Sequence, residues 1–248
     1  MKDETEFLKK RFSELSDRAF ERNVWEYSSF LNLEEQSVLM SSVPGNMYFL
    51  YGGYTEAERK IAVFGDREEF GYDPAFPVKI IKFTPVNMKF SDNLTHRDVL
   101  GSVMSLGIER KTVGDILIYE NTPYVFVLDE ISNAVLELKK LKHTSVKAEI
   151  CSFVPEQAVP KITEKEVTVS SLRLDCLAAA VFGLSRKEAS DLSKNGRLFV
   201  DSAEKINPSF EVKEGSIVSV RGKGRFKLLS VNGLTKKGRL KITVGTYS

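Results

Sequence analysis

From Gly215 to Ser248 the sequence carries eight lysines and arginines and no aspartate or glutamate. Arg221-Gly-Lys-Gly-Arg225 reads as a tight turn with three cations on a backbone that glycine lets approach a phosphate closely, and Lys236-Lys-Gly-Arg239 repeats the arrangement. Upstream, Ser185-Arg-Lys-Glu188 is a capping box that opens a helix, and Asn195-Gly196 is a left-handed stop that ends it. At about 100° per residue, Arg186, Lys187, Ser190 and Lys194 fall within an arc of roughly 100° on that helix, with Ala189 and Leu192 opposite. The helix's only acids, Glu188 and Asp191, lie outside the arc. Three cations and a hydroxyl on one face, beside the amides of a helix N-terminus, suit phosphate oxygens.

Other reactive residue types do not assemble into a reaction centre. There is no GxGxxG turn for a nucleotide cofactor and no GxxxxGK[ST] phosphate loop. His96, His143, Cys151 and Cys176 are too few and too scattered for a zinc site. Glu68-Glu69 falls in a polar turn. His96-Arg97-Asp98 and the run from Lys111-Thr112 to Asp115 invite a catalytic reading, but a capped helix and a glycine turn account for them; Arg97, Arg110 and Lys111 could extend a cationic surface. Arg173-Leu-Asp175 resembles the catalytic Arg-Leu-Asp of one pseudouridine synthase class, yet Cys176-Leu-Ala-Ala-Ala continues a helix, which leaves no open pocket. The expectation is a protein that is not an enzyme, with no cofactor and no metal. The alternative is an RNA-modifying enzyme that uses the basic end to hold its substrate.

The elements that position these residues follow from periodicity and turn chemistry. Asp3 to Arg22 reads as an amphipathic helix with Phe7, Leu8, Phe12, Leu15 and Ala19 on its apolar stripe. A short helix follows at Leu33 to Met40, then paired strands at Met47 to Tyr51 and Arg59 to Phe64. Gly65 to Pro77, with Gly71 and Pro74, marks a boundary. The next stretch has a β-α-β-β-α-β order: Val78 to Phe83, a helix capped at Thr95 and stopped by Gly107, strands at Val113 to Tyr119 and Tyr124 to Leu128, a helix at Ser132 to Leu141, and a strand at Ser145 to Phe153. That order fits a ferredoxin-like or RNA-recognition-motif-like sandwich, without the aromatic signature of a working RNA-recognition motif. Pro155, Pro160 and the charged Lys161 to Glu166 read as a linker. Beyond it, Ser170-Ser171 caps a helix from Leu172 to Phe182, and after the cationic helix come strands at Arg197 to Val200, Ile217 to Arg221, Arg225 to Ser230 and Arg239 to Thr246.

The expected fold class is α+β in three small domains: residues 1–75, 76–158 and 165–248. Charge divides along the same line. From Lys165 onward there are 16 basic and 8 acidic residues, leaving 20 basic and 26 acidic in the rest of a chain whose net charge is only +2. One basic end on a mildly acidic body marks a polyanion-binding module attached to something else. No apolar run is long enough to span a membrane, the acidic N-terminus is not a secretory signal, and two cysteines are no disulfide framework. A reducing cytoplasm is the expected location.

The ordered run Leu172-Arg-Leu-Asp175, Ser185-Arg-Lys-Glu-Ala189, Leu192, Asn195-Gly196-Arg-Leu-Phe-Val200 and Gly215-Ser-Ile-Val-Ser-Val-Arg221-Gly-Lys-Gly-Arg225 closely resembles the αL RNA-binding motif. That domain was first known from small-subunit ribosomal protein S-four and also occurs in pseudouridine synthases, tyrosyl-tRNA synthetase and heat-shock-type ribosome factors. The resemblance implies two helices and a small curved sheet that grip structured RNA. Its RNA contacts would be Arg173, Ser185, Arg186, Lys187, Ser190, Lys194, Arg197, Arg221, Lys223 and Arg225, with Asp175 orienting the neighbouring arginines. The chain as a whole resembles the YlmH family of bacterial proteins, through Leu94-Thr-His-Arg-Asp-Val-Leu-Gly101-Ser and Leu106-Gly-Ile-Glu-Arg-Lys-Thr-Val-Gly114-Asp-Ile as well as the C-terminal region. That resemblance implies binding to ribosomal RNA or tRNA, association with the large ribosomal subunit, a monomer, and a role in translation quality control.

Overall fold

The computed structural model describes residues 2–201 and 203–247, with side chains from residue 4 onward. It is a mixed α/β chain that divides into two compact units, Met1–Val159 and Pro160–Ser248.

In the first unit, helix α1 (Lys2–Arg22) and helix α2 (Leu33–Ser42) cover a sheet of strands β1 (Glu26–Tyr27), β2 (Tyr48–Tyr51) and β3 (Ile61–Phe64), ordered β1-β3-β2. Phe12, Leu15 and Ala19 bury against Leu39, Ala62 and Phe64, but Phe7 leaves the expected stripe and is 69% exposed. Short helix α3 (Arg67–Phe70) occupies the boundary stretch.

A second sheet follows: β4 (Val78–Pro85), helix α4 (His96–Met104), β5 (Val113–Tyr119), β6 (Thr122–Leu128), helix α5 (Asp129–Leu136), β7 (Lys140–Leu141) and β8 (Thr144–Cys151). Its order β5-β6-β4-β8-β7 puts the first and third long strands in the middle, the arrangement of a split β-α-β-β-α-β unit. Helix α5 begins and ends earlier than the sequence pattern implied. It starts directly after β6, where Asp129 and Glu130 complement the helix N-terminus, and the expected helical end at Leu141 is instead the edge strand β7.

The two sheets of the first unit share a core. Phe30, Ile61 and Val63 pack with Ile80, Leu117, Tyr124, Phe126 and Leu128, on the sheet face opposite α4 and α5. Every residue of β6 from Pro123 to Leu128 is therefore buried, rather than alternating as in a half-exposed strand. The approach is close: a Cβ on Gly114 would lie 2.7 Å from the Phe30 ring. The boundary expected at residue 75 separates two sheets that fold as one compact unit.

In the second unit, residues assigned to a linker form a strand. Strand β9 (Ile162–Val169) pairs along its whole length with β14 (Leu240–Tyr247) and forms an edge of the sheet β11-β10-β12-β13-β14-β9. Its charges, Glu164, Lys165 and Glu166, are those of an exposed edge strand, which repels unwanted pairing. Helices α6 (Leu174–Phe182) and α7 (Arg186–Lys194) follow, then β10 (Leu198–Val200), β11 (Ala203–Glu204), β12 (Ile217–Val220) and β13 (Gly224–Leu234). Leu174, Leu177, Ala178 and Ala189 bury against Val218, Val220, Phe226, Leu228, Ile242 and Val244, so both helices lie on one face of the sheet. Helix α6 starts two residues later than expected and has no serine cap; the amides of Leu174 and Asp175 donate instead to the carbonyls of Phe210 and Pro208.

Candidate nucleic-acid interface

The capping box predicted for α7 is formed: Ser185 Oγ accepts from the Glu188 amide at 3.2 Å, and Glu188 Oε2 accepts from the Ser185 amide at 2.7 Å. These hydrogen bonds, Ser185's side chain first, hold the Glu188 carboxyl below its usual range, so it stays charged and occupied at the helix start. The inward face is fixed by Ala189 and by Ser193, whose hydroxyl donates to the Lys205 carbonyl at 2.7 Å. Arg186, Lys187 and Lys194 are thereby turned to solvent, with Ser190 half-buried between them.

The β12–β13 turn comes next to this face. Gly222 and Gly224 have φ of +83° and +119°, conformations that side-chain-bearing residues rarely adopt, and between them Lys223 is exposed. A Cβ on Gly224 would lie 3.6 Å from the ring of Phe182, the last residue of α6, which sets the turn beside the junction of α6 and α7. Arg197 Nη2 donates to the Arg221 carbonyl at 3.0 Å, and the Arg221 amide donates to the Arg197 carbonyl at 2.9 Å, so these two exposed arginines anchor the turn's base. The structure thus brings together Ser185, Arg186, Lys187 and Lys223 at one end, continued by Ser190 and Lys194 along the helix.

Other residues are placed apart. Arg225 alternates with the buried Phe226, so it projects from the sheet face away from α6 and α7, and its guanidinium lies 4.3 Å from the Tyr247 ring centroid. Arg221 lies over Phe199, 5.5 Å from its centroid, toward that same outer face. Arg173 is engaged internally. Its Nε and Nη2 donate to the two carboxylate oxygens of Asp175 at 3.0 and 2.8 Å, a two-pronged pair in which the carboxylate is buried. Burial pushes the Asp175 carboxyl up, but the hydrogen bonds from Arg173 and the Cys176 amide and the arginine's charge outweigh it and hold it below the usual range. Asp175 thus holds Arg173 through both carboxylate oxygens.

One cation outside the predicted set joins the helix face. Arg239 donates to the Thr168 carbonyl at 3.1 Å and lines, with Arg186, Ser170 and Cys176, a pocket of about 220 Å³. Arg186 Nη2 also donates to Cys176 Sγ at 3.1 Å. The Lys236-Lys-Gly-Arg239 run was the sequence signal for it, but only the β9–β14 pairing carries that turn back to α7.

In the first unit Asp98, Arg110 and Asp115, together with Arg59, serve the fold, whereas Arg97 is exposed. Asp115 accepts from Tyr54 Oη at 2.8 Å and from the amides of Glu58 and Arg59 at 2.7 and 3.1 Å. Arg59 donates to the carbonyls of Val113 and Phe30, and Arg110 to those of Val113 and Gly114. Burial, and next the charge of Arg59, push Arg110 down to about 10. Arg59 and Asp115 therefore tie the two sheets together, and Arg110 braces the start of β5 through carbonyls of its own segment. Lys111 pairs with Glu109 at 2.6 Å, and Asp98 is consumed capping α4 at Thr95. Among the described residues no helix is long and apolar enough to cross a membrane.

Fold and site together define a mixed α/β protein of two compact units, one of which presents a cationic helix and glycine turn on a small sheet. The family model described as "Putative RNA-binding domain in YlmH" matches residues 74–155. The ribosome-associated protein quality control protein P2 of Bacillus subtilis (strain 168) is 30% identical over 225 residues, covering 87% of this chain and 85% of that protein. A solved structure, the cell division protein ylmH from Streptococcus pneumoniae, is 22% identical with a TM-score of 0.47, covering 60% of this chain and 91% of that one. The chain belongs to the YlmH family.

Proposed function

We propose that this protein is a non-enzymatic RNA-binding factor that grips structured ribosomal RNA or tRNA on ribosomal particles, with the large subunit as its platform and translation quality control as its setting. The observation that carries this reading is the α7 face, where exposed Arg186, Lys187 and Lys194 flank half-buried Ser190, with the Lys223 turn set beside the α6–α7 junction. Cations spaced along a helix, met by a backbone turn without side chains in the way, match successive phosphates and carry no requirement for a base. The match of residues 74–155 to an RNA-binding family model and the ribosome-associated quality control for which the Bacillus subtilis relative is named support the same reading. The three-region organisation, residues 1–75, 76–158 and an αL domain from 165 (to which β9 adds three residues), belongs to this proposal, as do a cytoplasmic location, a monomeric state and independence of any cofactor or metal.

Against the pseudouridine-synthase-like alternative stands Asp175, which is buried, bound by Arg173 through both oxygens, and set in the first turn of α6. A carboxylate so engaged is not offered to a substrate. The test is co-sedimentation with ribosomes over a salt series. Wild-type protein should bind with an affinity that falls steeply with salt, with a slope of about −0.7 to −0.9 per phosphate contact. Arg186→Glu combined with Lys194→Glu should abolish co-sedimentation while leaving the thermal midpoint unchanged. A flat salt dependence, or wild-type co-sedimentation by that variant, overturns the reading.

A further inference from the structure

The sheet of the first unit cannot meet RNA in the manner of an RNA-recognition motif. The face that would carry stacked bases, opposite α4 and α5, holds Ile80, Tyr124 and Phe126 buried beneath Phe30, Ile61 and Val63. Any RNA contact by this unit must use another surface.

One surface has the necessary chemistry. Between β4 and α4 the chain swings out, leaving Val86, Met88 and Phe90 71%, 53% and 79% exposed, with the Lys89 ammonium 5.9 Å from the Phe90 centroid. The loop is held in place, not loose. Asn87 Oδ1 accepts from the Lys89 amide, the Ser91 hydroxyl donates to the Met88 carbonyl, and Asn121 Nδ2 donates to Ser91 Oγ and to the Asp92 carbonyl. The Val86 amide donates to the Ser145 carbonyl and the Asp92 amide to Thr144 Oγ1, which seats the loop on the turn carrying Lys142 and His143. That turn rests in turn on α4 through the Lys142 amide and Ser102 Oγ. Here a shallow groove of about 480 Å³ is lined by Arg97, Ser102, Ser105, Lys140 and Lys142.

The charges indicate what would fill it. The acids of this surface are engaged within the fold: Asp92 accepts from the His143 amide and Thr144 Oγ1, and Asp98 caps α4 and lies 3.7 Å from Lys142 Nζ. Lys89, Arg97 and Lys140 form no ion pair among the described residues. Exposed apolar and aromatic side chains flanked by unmatched cations fit unpaired nucleotides, whose bases stack on the ring while the phosphates meet the cations. Met88, Phe90 and Arg97 are also residue types found where proteins pack against one another, but Lys89, Lys140 and Lys142 are not, because lysine is depleted there.

We propose that the Val86–Phe90 loop and the adjoining Arg97–Lys140–Lys142 groove form a second RNA-contact surface, which takes unpaired nucleotides. It rests on the reading of the chain as an RNA-binding protein and divides the labour: α7 holds paired RNA by its phosphates, and this loop engages a neighbouring single-stranded stretch.

The test uses the full chain and two fluorescein-labelled RNAs, a hairpin with an eight-nucleotide unpaired purine-rich loop and a blunt duplex of equal length, read by anisotropy. Wild-type protein should prefer the looped hairpin. Phe90→Ala with Met88→Ala should weaken that probe about tenfold and leave the duplex unchanged. Arg97→Gln with Lys140→Gln should weaken the same probe and lower its salt slope by about 1–2. All four side chains are exposed, and an unchanged thermal midpoint confirms intact folding. Equal binding of the looped hairpin by wild type and the Phe90 variant overturns the proposal. If duplex binding is still lost in Arg186→Glu/Lys194→Glu, the function proposed above stands without this surface. Wild-type protein that binds neither RNA overturns both. Unchanged RNA affinity together with lost ribosome co-sedimentation by the Phe90 variant also overturns it, assigning the loop to a protein.

Discussion

The two units spend their charged side chains differently. In the first, Asp115, Arg59 and Arg110 turn inward to saturate backbone groups along the seam between two sheets, and the apolar face of the second sheet is covered. In the second, half-exposed Arg173 pairs with the buried Asp175 carboxylate at the start of α6, and the cations of α7 and the β12–β13 turn are left facing solvent. Identical residue types thus mean different things. An arginine whose guanidinium is half-buried against carbonyls, as those of Arg59 and Arg110 are, is part of the fold; one exposed on the far side of a buried alanine is available to a polyanion.

Four substitutions break or sharpen that contrast. Phe126→Ala empties the shared core of the first unit and should cost about 3–5 kcal/mol there. Denaturant unfolding should show this loss, while native Phe126→Ala protein keeps wild-type affinity for duplex RNA. An equal loss of affinity would mean the units do not divide the work. Asp115→Ala strands three donors, Tyr54 Oη and the amides of Glu58 and Arg59, and should cost about 2–3 kcal/mol in the same assay. Asp175→Asn in the second unit should cost about 1–2 kcal/mol near pH 7. Because the folded carboxyl titrates below the ordinary value of about 3.9, its stabilisation is complete above that value and is lost as pH falls through the lower folded value. The gap between wild type and Asp175→Asn should therefore close in acid. Last, Arg225→Gln, on the outer sheet face, should weaken RNA binding less than Arg186→Gln and lower the salt slope by less than about one. A larger effect would move the interface to the outer face.

Much of the second unit's site was legible because it is local. A capping box, an i, i+4 spacing and a glycine turn are properties of a few consecutive residues, and Ser185, Arg186, Lys187, Lys194 and Lys223 take up the geometry those properties imply. What was misread is long-range. Lys161 to Glu166 carries four charges after Pro155 and Pro160 and reads as a linker, yet β14 recruits the chain from Ile162 to Val169 because the sheet edge offers unpaired backbone groups. The resemblance to the αL motif puts Arg225 in one contact set with the helix cations, and only the two-residue alternation of β13 shows that it projects from the sheet face away from α6 and α7.

By itself, the sequence determined the order of the elements, the basic end and the direction of the cationic helix face, since periodicity and capping act within a turn or two of chain. Only the tertiary structure decided which charges remain outside. Whether Arg59 meets a carbonyl, whether a sheet face meets a second sheet, and whether Phe90 stays exposed depend on segments tens of residues away. Burial is a property of the assembled surfaces, and no single stretch of sequence encodes it.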